Sequence, residues 1–406
     1  MLQKINNNEV AVELGPCDLV APQANLNLPL LALSVGAFAI GVTEFSPMGL
    51  LPLIASDLKV SIPVAGQLVT GYALGVMIGA PIMTLSTGRV DRKTLLISLM
   101  AIFVVGSLMA ALSTGYNMLM LARLVTSLCH GAFFGVGSIV AADLVPPTKR
   151  AGAVATMFMG LTIANVGGVP LAAWVGQTAG WQTAFWGITA LGLFAMAALA
   201  LSMPKVPIHG SINMRDELRV LGRPVVLVAL LMTVLSSGAM FTVLTYIALI
   251  LRDSTHASPT FITWMLVLYG LGLSVGNWVG GLGADKSVDR TLIVGLTCLT
   301  VLLLVFAVVM QWHIPAAILI FAWGVATFAL VPPLQVRVMT HASDAPNVAS
   351  AINIGAFNLG NALGAALGGA VITLKLGYPA ISIAGAGLAG LALVLALLTK
   401  KKTAKA

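Results

Sequence analysis

The chain has 406 residues, of which 59% are hydrophobic and 8% are charged. Soluble domains carry about 25% charged residues, so this composition excludes a water-soluble globular protein. The formal net charge of +8 does not indicate nucleic-acid binding, because most basic residues flank apolar stretches on one side of the predicted topology.

Twelve apolar stretches fill almost the whole chain. An apolar run of about 18 or more residues predicts a membrane-spanning helix. We therefore predict an all-α membrane protein with 12 spans, numbered span 1 to span 12 in chain order. They cover residues 28–54, 64–87, 94–112, 117–142, 152–176, 182–203, 225–251, 260–283, 291–311, 314–336, 346–372 and 377–399.

The spans divide the chain into five regions. They are an N-terminal tail (1–27), a first six-helix bundle (28–203), a linker (204–224), a second six-helix bundle (225–399) and a basic tail (400–406). The N-terminal tail has acidic residues where a signal peptide has basic ones, so we expect it to be retained. The linker is either a polar loop or a short amphipathic helix on the membrane surface.

An even number of spans places both termini on one side of the membrane. Seventeen of the 21 basic residues fall on that side. Because short cytoplasmic loops are enriched in Lys and Arg, we predict that both termini are cytoplasmic.

The two halves of the chain repeat each other weakly. Residues 90–92 and 288–290 both read Val-Asp-Arg, 198 residues apart, and follow span 2 and span 8. Asn165 in span 5 corresponds to Asn361 in span 11 at an offset of 196. These offsets predict two pseudo-symmetric six-helix bundles.

Glycines recur at four-residue spacing in two spans of the second half. Such ridges let helices approach closely in a membrane, so we predict tight helix packing at these positions. The ridges are Gly272, Gly276 and Gly280 in span 8, and Gly360, Gly364 and Gly368 in span 11.

Glu44, in span 1, is the only carboxylate inside the predicted spans. An acid there costs roughly 2.5–3.5 kcal/mol, which suggests a function. Span 4 carries Arg123, Ser127, His130 and Phe134 at spacings that place them on one helical face. Arg123 and His130 lie on either side of the predicted depth of Glu44, so we predict that these three groups form a buried ionisable cluster.

The cluster has three interpretations. A neighbouring cation favours the charged carboxylate and burial favours the neutral acid, so Glu44 could take up and release a proton. Alternatively, Glu44 and Arg123 form a static ion pair, or Glu44 binds a cationic substrate. His130 is either a proton relay or a packed, hydrogen-bonded histidine. The second half has Thr242 and Phe321 at the matching positions, so proton handling is expected in the first half alone.

Other intramembrane residues are suited to line a substrate cavity, because they are aromatic or neutral and polar. We predict that the cavity includes Tyr72, Asn165, Met240, Tyr246, Trp323, Asn358 and Asn361. The sequence has no Walker A motif, no metal-ligand spacing and no nucleophile–base pattern. We therefore expect a transporter driven by a gradient, without a cofactor, rather than an enzyme.

The loop after span 2 resembles the signature G-x-L-A-D-R-x-G-R-K of the major facilitator superfamily. This chain has TLSTGRVDRK at 84–93 and a copy, GLGADKSVDR, at 281–290. Gly88 and Asp91 stand where the signature has aspartate and its second glycine. The resemblance implies that the motif residues control conformational change. They are Arg89, Asp91, Arg92, Asp285, Lys286 and Arg290.

Span 5 is similar to the glycine-proline motif of the drug:proton antiporter group, and specifically to the arabinose-efflux-permease-like branch. It reads ANVGGVPLAAWVGQTAGWQTAF at 164–185. TEFSPMGLLP in span 1 and HGAFFGVGS in span 4 also resemble that branch, and Arg123 matches the family's span-4 arginine. The resemblance implies that Gly168 and Pro170 shape span 5 and prevent a proton leak.

The resemblance further implies a proton-driven exporter of the bacterial inner membrane that acts on drugs, sugars or nucleosides. We expect it to be a monomer in the lipid bilayer, with a small-molecule substrate and no nucleic-acid partner. Proton-coupled uptake is the first alternative. A membrane receptor or scaffold is the second, and it predicts no solute flux.

Overall fold

A computed structural model describes residues 27–86, 90–146, 150–204, 223–342 and 346–403 of the chain. Within these ranges, 12 segments are helical, long enough and apolar enough to cross a membrane. The predicted number of spans is therefore confirmed. The N-terminal tail and most of the linker lie outside the described residues, so the predictions for these two regions stay predictions.

Nine of the spans are single α-helices, and spans 5, 7 and 10 are each divided. The helices are Leu28–Asp57, Ile62–Ser86, Arg92–Ala111, Tyr116–Asp143, Arg150–Ile163 with Val169–Ala179, Trp181–Ser202, Pro224–Leu244 with Ile247–Asp253, Pro259–Lys286, Val288–Val309, His313–Phe328 with Val331–His341, Pro346–Thr373 and Tyr378–Thr403.

The helices run about one turn beyond several predicted apolar stretches. Their ends therefore carry Asp57, Asp143, Asp253 and Asp285, which the sequence had placed outside the spans. Glu44 differs from these acids because it lies near the middle of its 30-residue helix. The fold thus leaves Glu44 as the acid deepest within a span.

Prolines account for two of the three divisions. Pro170 has no N–H, and the five residues before Val169 form a π-helical turn, Ala164–Gly168. In span 10 a second helix begins at Val331–His341, with Pro332 and Pro333 in its first turn. Proline is tolerated there because the N–H groups of a first turn have no acceptor within the helix. Arg337, predicted to lie in a loop, is consequently on a buried helix face.

The internal repeat is visible in the turns between spans. Lys59 and His256, 197 residues apart, both have positive φ, at 53° and 52°, after span 1 and span 7. Gly180 and Gly377, also 197 apart, have φ of 90° and 86° before span 6 and span 12. Corresponding turns therefore have corresponding backbone conformations.

Each half also joins its first span to its sixth in the same way. Asp57 accepts a hydrogen bond from the Trp181 indole at 2.8 Å. Asp253 accepts one from the Tyr378 hydroxyl at 2.6 Å. The offsets of 196 and 197 residues show that an acid at the end of one helix and an aromatic donor at the start of another form an equivalent bond in both halves.

The predicted glycine ridges are confirmed as close helix contacts. In span 8 a side chain at Gly272 would reach the Phe321 carbonyl of span 10, and Gly276 and Gly280 continue that contact. In span 11 a side chain at Gly368 would lie 2.6 Å from the Thr242 carbonyl of span 7. Backbone-to-backbone packing of this kind holds the second half together.

The two halves meet through span 2 with span 11 and span 5 with span 8. We call the side where span 1 begins the terminal side and the opposite side the distal side. On the distal side, Gln177 accepts a hydrogen bond from Thr263 at 3.3 Å. Deeper, the rings of Phe45 and Phe241 have centroids 5.9 Å apart. The halves are therefore in contact from the middle of the membrane to the distal side.

Candidate functional site

A proline in span 1 prepares the first contact of the site. Pro47 has no N–H, so the carbonyl of Thr43, four residues earlier, lacks its helical donor. Arg123 of span 4 donates from Nη1 to that carbonyl oxygen at 2.6 Å. The arginine thus replaces the missing backbone hydrogen bond.

Span 2 lies close to span 4 along a third glycine ridge, Gly71, Gly75 and Gly79. At Gly79 a side chain would lie 3.3 Å from the Cα of Leu128, and Gly75 faces the Ser127 hydroxyl. Tyr72 follows the first of these glycines. The ridge therefore brings the Tyr72 ring against the face of span 4 that carries Arg123 and His130.

Arg123 is held by Tyr72 as well as by Thr43. Its guanidinium carbon lies 4.0 Å from the centroid of the Tyr72 ring, a cation–π distance. The side chain is 2% exposed, and Nε and Nη2 have no hydrogen-bond partner within the described part of the chain. Among the described residues, Arg123 and Glu44 do not form an ion pair.

The imidazole of His130 lies between Tyr72 and Glu44. Its Nδ1 is 2.9 Å from the Tyr72 hydroxyl, and its Nε2 is 3.9 Å from Oε2 of Glu44. Phe134 supports the imidazole at a ring distance of 5.2 Å and itself stacks on Phe158. Glu44 is 8% exposed, so the acid is buried next to a histidine.

The sequence predicted a cluster of Glu44, Arg123 and His130, and the structure brings all three side chains together. It adds Tyr72, which the sequence had placed in the substrate cavity. The sequence signal for this fourth member was the spacing of glycines in span 2. Glu44 contacts His130, whereas Arg123 donates to the Thr43 carbonyl.

The three predicted cavity asparagines are partly used for structure. Asn165 donates from Nδ2 to the Leu161 carbonyl at 2.9 Å, and the Asn361 side chain accepts from the Ser237 hydroxyl. Asn358 donates to the Ile354 carbonyl at 2.9 Å. Its Oδ1 is buried and has no partner within the ranges described, so this atom is available to a ligand.

Trp323 and Met240 lie in an apolar core to which both halves of the chain contribute. Trp323 packs against Tyr269 with ring centroids 4.6 Å apart. Its indole Nε1 is buried without a partner among the described residues. Tyr269 was not singled out from the sequence, because an aromatic residue in an apolar span has no distinguishing spacing.

Tyr246 occupies the turn that divides span 7. Its hydroxyl donates to the Ala365 carbonyl of span 11 at 2.9 Å. Its ring also faces Gly368, and its hydroxyl faces Gly66 of span 2. The residue therefore packs between the halves, where the distal side is closed.

The described residues of the superfamily motif lie at the terminal side. Asp91 caps span 3 by accepting from the Thr94 N–H at 3.1 Å, and Arg92 pairs with Asp143 at 2.5 Å. Arg89 lies outside the described residues. The pair of Arg92 and Asp143 joins span 3 to span 4 within the first half.

The second half has the equivalent ion pair with its charges reversed. Asp289 at the start of span 9 pairs with Arg337 of span 10 at 2.6 Å. Ser287 caps span 9 by accepting from the Arg290 N–H at 3.3 Å. Asp285 and Lys286 form the last turn of span 8.

Gly168 and Pro170 lie where span 5 crosses span 1. A side chain at Gly168 would overlap Val42 and lie 3.0 Å from the Phe38 ring. The neighbouring Gly167 has no atom within 4 Å of the equivalent position. Only one of the two adjacent glycines is therefore required for close packing.

The chain matches the family model described as Major Facilitator Superfamily over residues 33–352 and again over residues 229–406. Two solved structures share the fold at low identity. They are the nucleoside transporter NupG, with a TM-score of 0.77, 13% identity and coverage of 92% and 99% of the two chains, and a D-xylose-proton symporter, with 0.74, 15%, 89% and 96%.

Several curated relatives align over nearly their whole length. Inner membrane transport protein YdhP of Escherichia coli K12 is 55% identical over 377 residues, which are 93% of this chain and 97% of the relative. The putative transporter AraJ of the same organism is 33% identical, with coverage of 88% and 91%. A chloramphenicol resistance protein of Streptomyces lividans is 31% identical, with coverage of 91% and 95%.

These relatives confirm the group and branch that the span 5 motif predicted. They also confirm a transporter rather than an enzyme. The chain belongs to the Major Facilitator Superfamily of membrane transporters.

Proposed function

We propose that the protein is a proton-coupled exporter of a small organic solute. The observation that carries this proposal is the surroundings of Glu44. The carboxyl group is buried in mid-span, and among the described residues the basic group within 4 Å of it is the His130 imidazole, at 3.9 Å. A buried acid without a fixed counter-ion can exist in both its neutral and its charged form.

The position of Arg123 supports this proposal over a static ion pair. Its Nη1 is occupied by Thr43 and its face by Tyr72. Nε and Nη2 remain buried without a hydrogen-bond partner within the described part of the chain. Glu44 can therefore be stabilised by His130 in one state and by Arg123 in another, and a proton can bind in between.

Transport would follow from alternating access. The halves contact each other on the distal side. On the terminal side the ion pairs lie within each half, Arg92 with Asp143 and Asp289 with Arg337. Such transporters rock two bundles around a site near the middle of the membrane.

A driving force of about 150 mV is worth roughly 3.5 kcal/mol per proton. That sustains about a 300-fold gradient of a neutral solute, at about 1.36 kcal/mol per tenfold.

The substrate class is proposed to be drug-like compounds, sugars or nucleosides. Trp323 has an indole N–H and Asn358 an amide oxygen that are buried in the second half and have no hydrogen-bond partner among the residues described. A neutral solute with hydrogen-bonding groups and an apolar face fits such donors and acceptors. The relative that confers chloramphenicol resistance supports export.

We place the protein in the bacterial inner membrane, with both termini in the cytoplasm. The name of the Escherichia coli relative supports the compartment, and the distribution of basic residues supports the orientation. The distal side is then periplasmic. In this orientation the described contacts between the halves close the periplasmic side.

The proposal is tested with purified protein in proteoliposomes. A thermal-shift screen of drugs, sugars and nucleosides first identifies a solute that binds. Export of that solute is then driven by a pH gradient. We expect Glu44→Gln to abolish gradient-driven export while solute exchange without a gradient survives. Asp57→Asn is the matched control, since it removes an acid from the end of the same helix.

Export by Glu44→Gln at the wild-type rate would reject proton coupling through this residue. The direction of solute movement in the same experiment separates export from uptake. If no tested solute moves under any gradient, the receptor or scaffold alternative is favoured.

A further inference from the structure

Tyr72 and His130 form a buried pair in which a single hydroxyl group faces one ring nitrogen. The Tyr72 hydroxyl lies 2.9 Å from Nδ1 of His130, and Tyr72 is 2% exposed. The opposite nitrogen, Nε2, faces Glu44. A neutral imidazole carries its proton on only one of the two nitrogens. The contact at Nδ1 therefore influences whether the nitrogen that faces Glu44, Nε2, carries a proton.

The hydrogen-bond inventory favours one arrangement. If the Tyr72 hydroxyl donates to Nδ1, its proton has an acceptor, and Nε2 carries the N–H that points towards Glu44. If instead Nδ1 donates to Tyr72, the buried hydroxyl proton loses its acceptor in His130. A bare Nε2 lone pair then faces the carboxylate. Leaving a buried donor unpaired costs about 1–3 kcal/mol, so the first arrangement is the stable one when Glu44 is charged.

We infer that Tyr72 is a positioning residue that selects the His130 tautomer protonated at Nε2 and thereby stabilises the ionised form of Glu44. This inference rests on the proposed function, because it assigns a role in the proton cycle of the same site. Tyr72 acts through His130 and does not itself carry the transported proton.

Other groups around Glu44 complete the electrostatic environment. Arg123 lies over the Tyr72 ring and adds positive charge on the span 4 side. Cys129 donates from Sγ to the Thr126 carbonyl at 2.9 Å, so its thiol is engaged within span 4. The titratable and charged groups of the cluster are thus Glu44, Tyr72, Arg123, Cys129 and His130.

Proton uptake then requires no movement of the other protons. The incoming proton binds a carboxyl oxygen of Glu44, and Tyr72 and His130 keep their own protons. Neutralisation removes the charge that the Nε2–H faces, so the interaction between span 1 and span 4 weakens. Release of the proton restores it. The Tyr–His pair would in this way make the packing of span 1 depend on the state of Glu44.

The test is Tyr72→Phe, which removes one oxygen and keeps the ring on which Arg123 lies. Tyr116→Phe is the matched control, because it also removes a hydroxyl bond between spans 2 and 4, to the Val64 carbonyl at 2.9 Å. Protein labelled with ¹⁵N at histidine reports the tautomer of His130, with assignment by comparison with His130→Gln. Export of the identified solute is measured against pH in parallel.

We expect wild type and Tyr116→Phe to show one His130 tautomer, protonated at Nε2. Tyr72→Phe should show a mixture that includes the Nδ1-protonated form. Its export profile should move by about 0.3–1 pH unit to higher pH, because a hydrogen bond that supports the carboxylate is lost. Tyr116→Phe should leave the profile in place.

An unchanged tautomer in folded Tyr72→Phe overturns the inference, whatever happens to export. A changed tautomer with an unchanged export profile overturns the link between His130 orientation and Glu44. Both results leave the proposed function standing if Glu44→Gln still abolishes gradient-driven export. Conversely, wild-type export by Glu44→Gln rejects the proposed function. The ¹⁵N spectrum then still decides whether Tyr72 selects the His130 tautomer, but that tautomer has no role in export.

Discussion

Pro47 and Arg123 act on the same atom, the carbonyl oxygen of Thr43. The proline withholds the backbone donor that the oxygen would have in a regular helix, and the arginine supplies another at 2.6 Å. The consequence reaches the next residue, Glu44. An arginine whose Nη1 is occupied by a backbone carbonyl is less available as a counter-ion for the acid.

The first prediction follows from replacing this proline. Pro47→Ala restores a backbone donor for Thr43, and alanine favours the helix by up to about 3 kcal/mol over proline. Arg123 is then freer to pair with Glu44 and hold it ionised. We expect thermal stability to stay level or rise while gradient-driven export falls by roughly tenfold or more, the value of a hydrogen bond to a charged group.

Pro52→Ala provides the control, since Pro52 is the other proline inside the same helix. It should leave export close to wild type. Melting temperature and export rate are measured for both variants. Wild-type export by Pro47→Ala would show that the bond to Thr43 does not restrain Arg123.

A second prediction concerns Arg123 itself. Arg123→Ala leaves the Thr43 carbonyl unpaired and removes the cation near Glu44. Folded yield should fall, and the export profile should move to higher pH because the carboxylate loses a stabilising charge. Arg123→Lys keeps the charge but cannot both lie flat on Tyr72 and reach Thr43, so partial activity is expected.

The double variant separates the two roles of Arg123. In Arg123→Ala/Pro47→Ala, the alanine N–H supplies the donor that Thr43 lacks. Yield in detergent should recover, while the pH profile stays shifted. If yield and profile recover together or fail together, the structural and electrostatic roles are not separable.

Apolar length explains how well the spans were predicted from sequence. A span is recognised from the hydrophobicity of about 20 consecutive residues. The predicted ends therefore agree with the ends of the helices to within several residues. The divisions of spans 7 and 10 were missed. Proline chemistry could have indicated the one at Val331–His341, whereas the turn at Tyr246 has no local signal. Contacts across the chain decide its position.

The site was predicted in part for a related reason. Helical periodicity placed Arg123 and His130 on one face, and charge placed Glu44 opposite them. The sequence predicted the members of this cluster but not the atoms that each one contacts, because those contacts depend on how the helices are rotated. The span 2 ridge sets the position of Tyr72, and the Thr43 carbonyl takes the arginine. Neither effect is visible from charge alone.

A third prediction uses two adjacent glycines of span 5. Gly168→Leu forces a side chain into Val42 and Phe38 of span 1, whereas Gly167→Leu points into open space. Overpacking costs about 1–3 kcal/mol. We expect Gly168→Leu to lose transport or to leak protons, and Gly167→Leu to do neither. Export and passive proton permeability in proteoliposomes distinguish them, and equal behaviour of the two variants would contradict the packing role.

The last prediction concerns closure of the distal side by Tyr246 and Gly66. A side chain at Gly66 would overlap the Tyr246 hydroxyl and lie 2.8 Å from its Cζ. Tyr246 cannot easily withdraw, since its hydroxyl is bonded to Ala365 within its own half. Gly66→Ala should therefore push the halves apart on that side, whereas Gly187→Ala, with no atom within 4 Å, should not.

Opening is measured through a single cysteine at Thr263, in a background in which Cys17, Cys129 and Cys298 are replaced. Its reaction with a membrane-impermeant thiol reagent from the distal side reports separation from Gln177. A steric cost of about 1–3 kcal/mol shifts the populations about 5- to 150-fold, so Gly66→Ala should label at least about fivefold faster. Tyr246→Phe in the same chain removes the overlapping oxygen and should partly reverse this. Equal labelling of Gly66→Ala and Gly187→Ala would mean that Tyr246 does not hold the distal side closed.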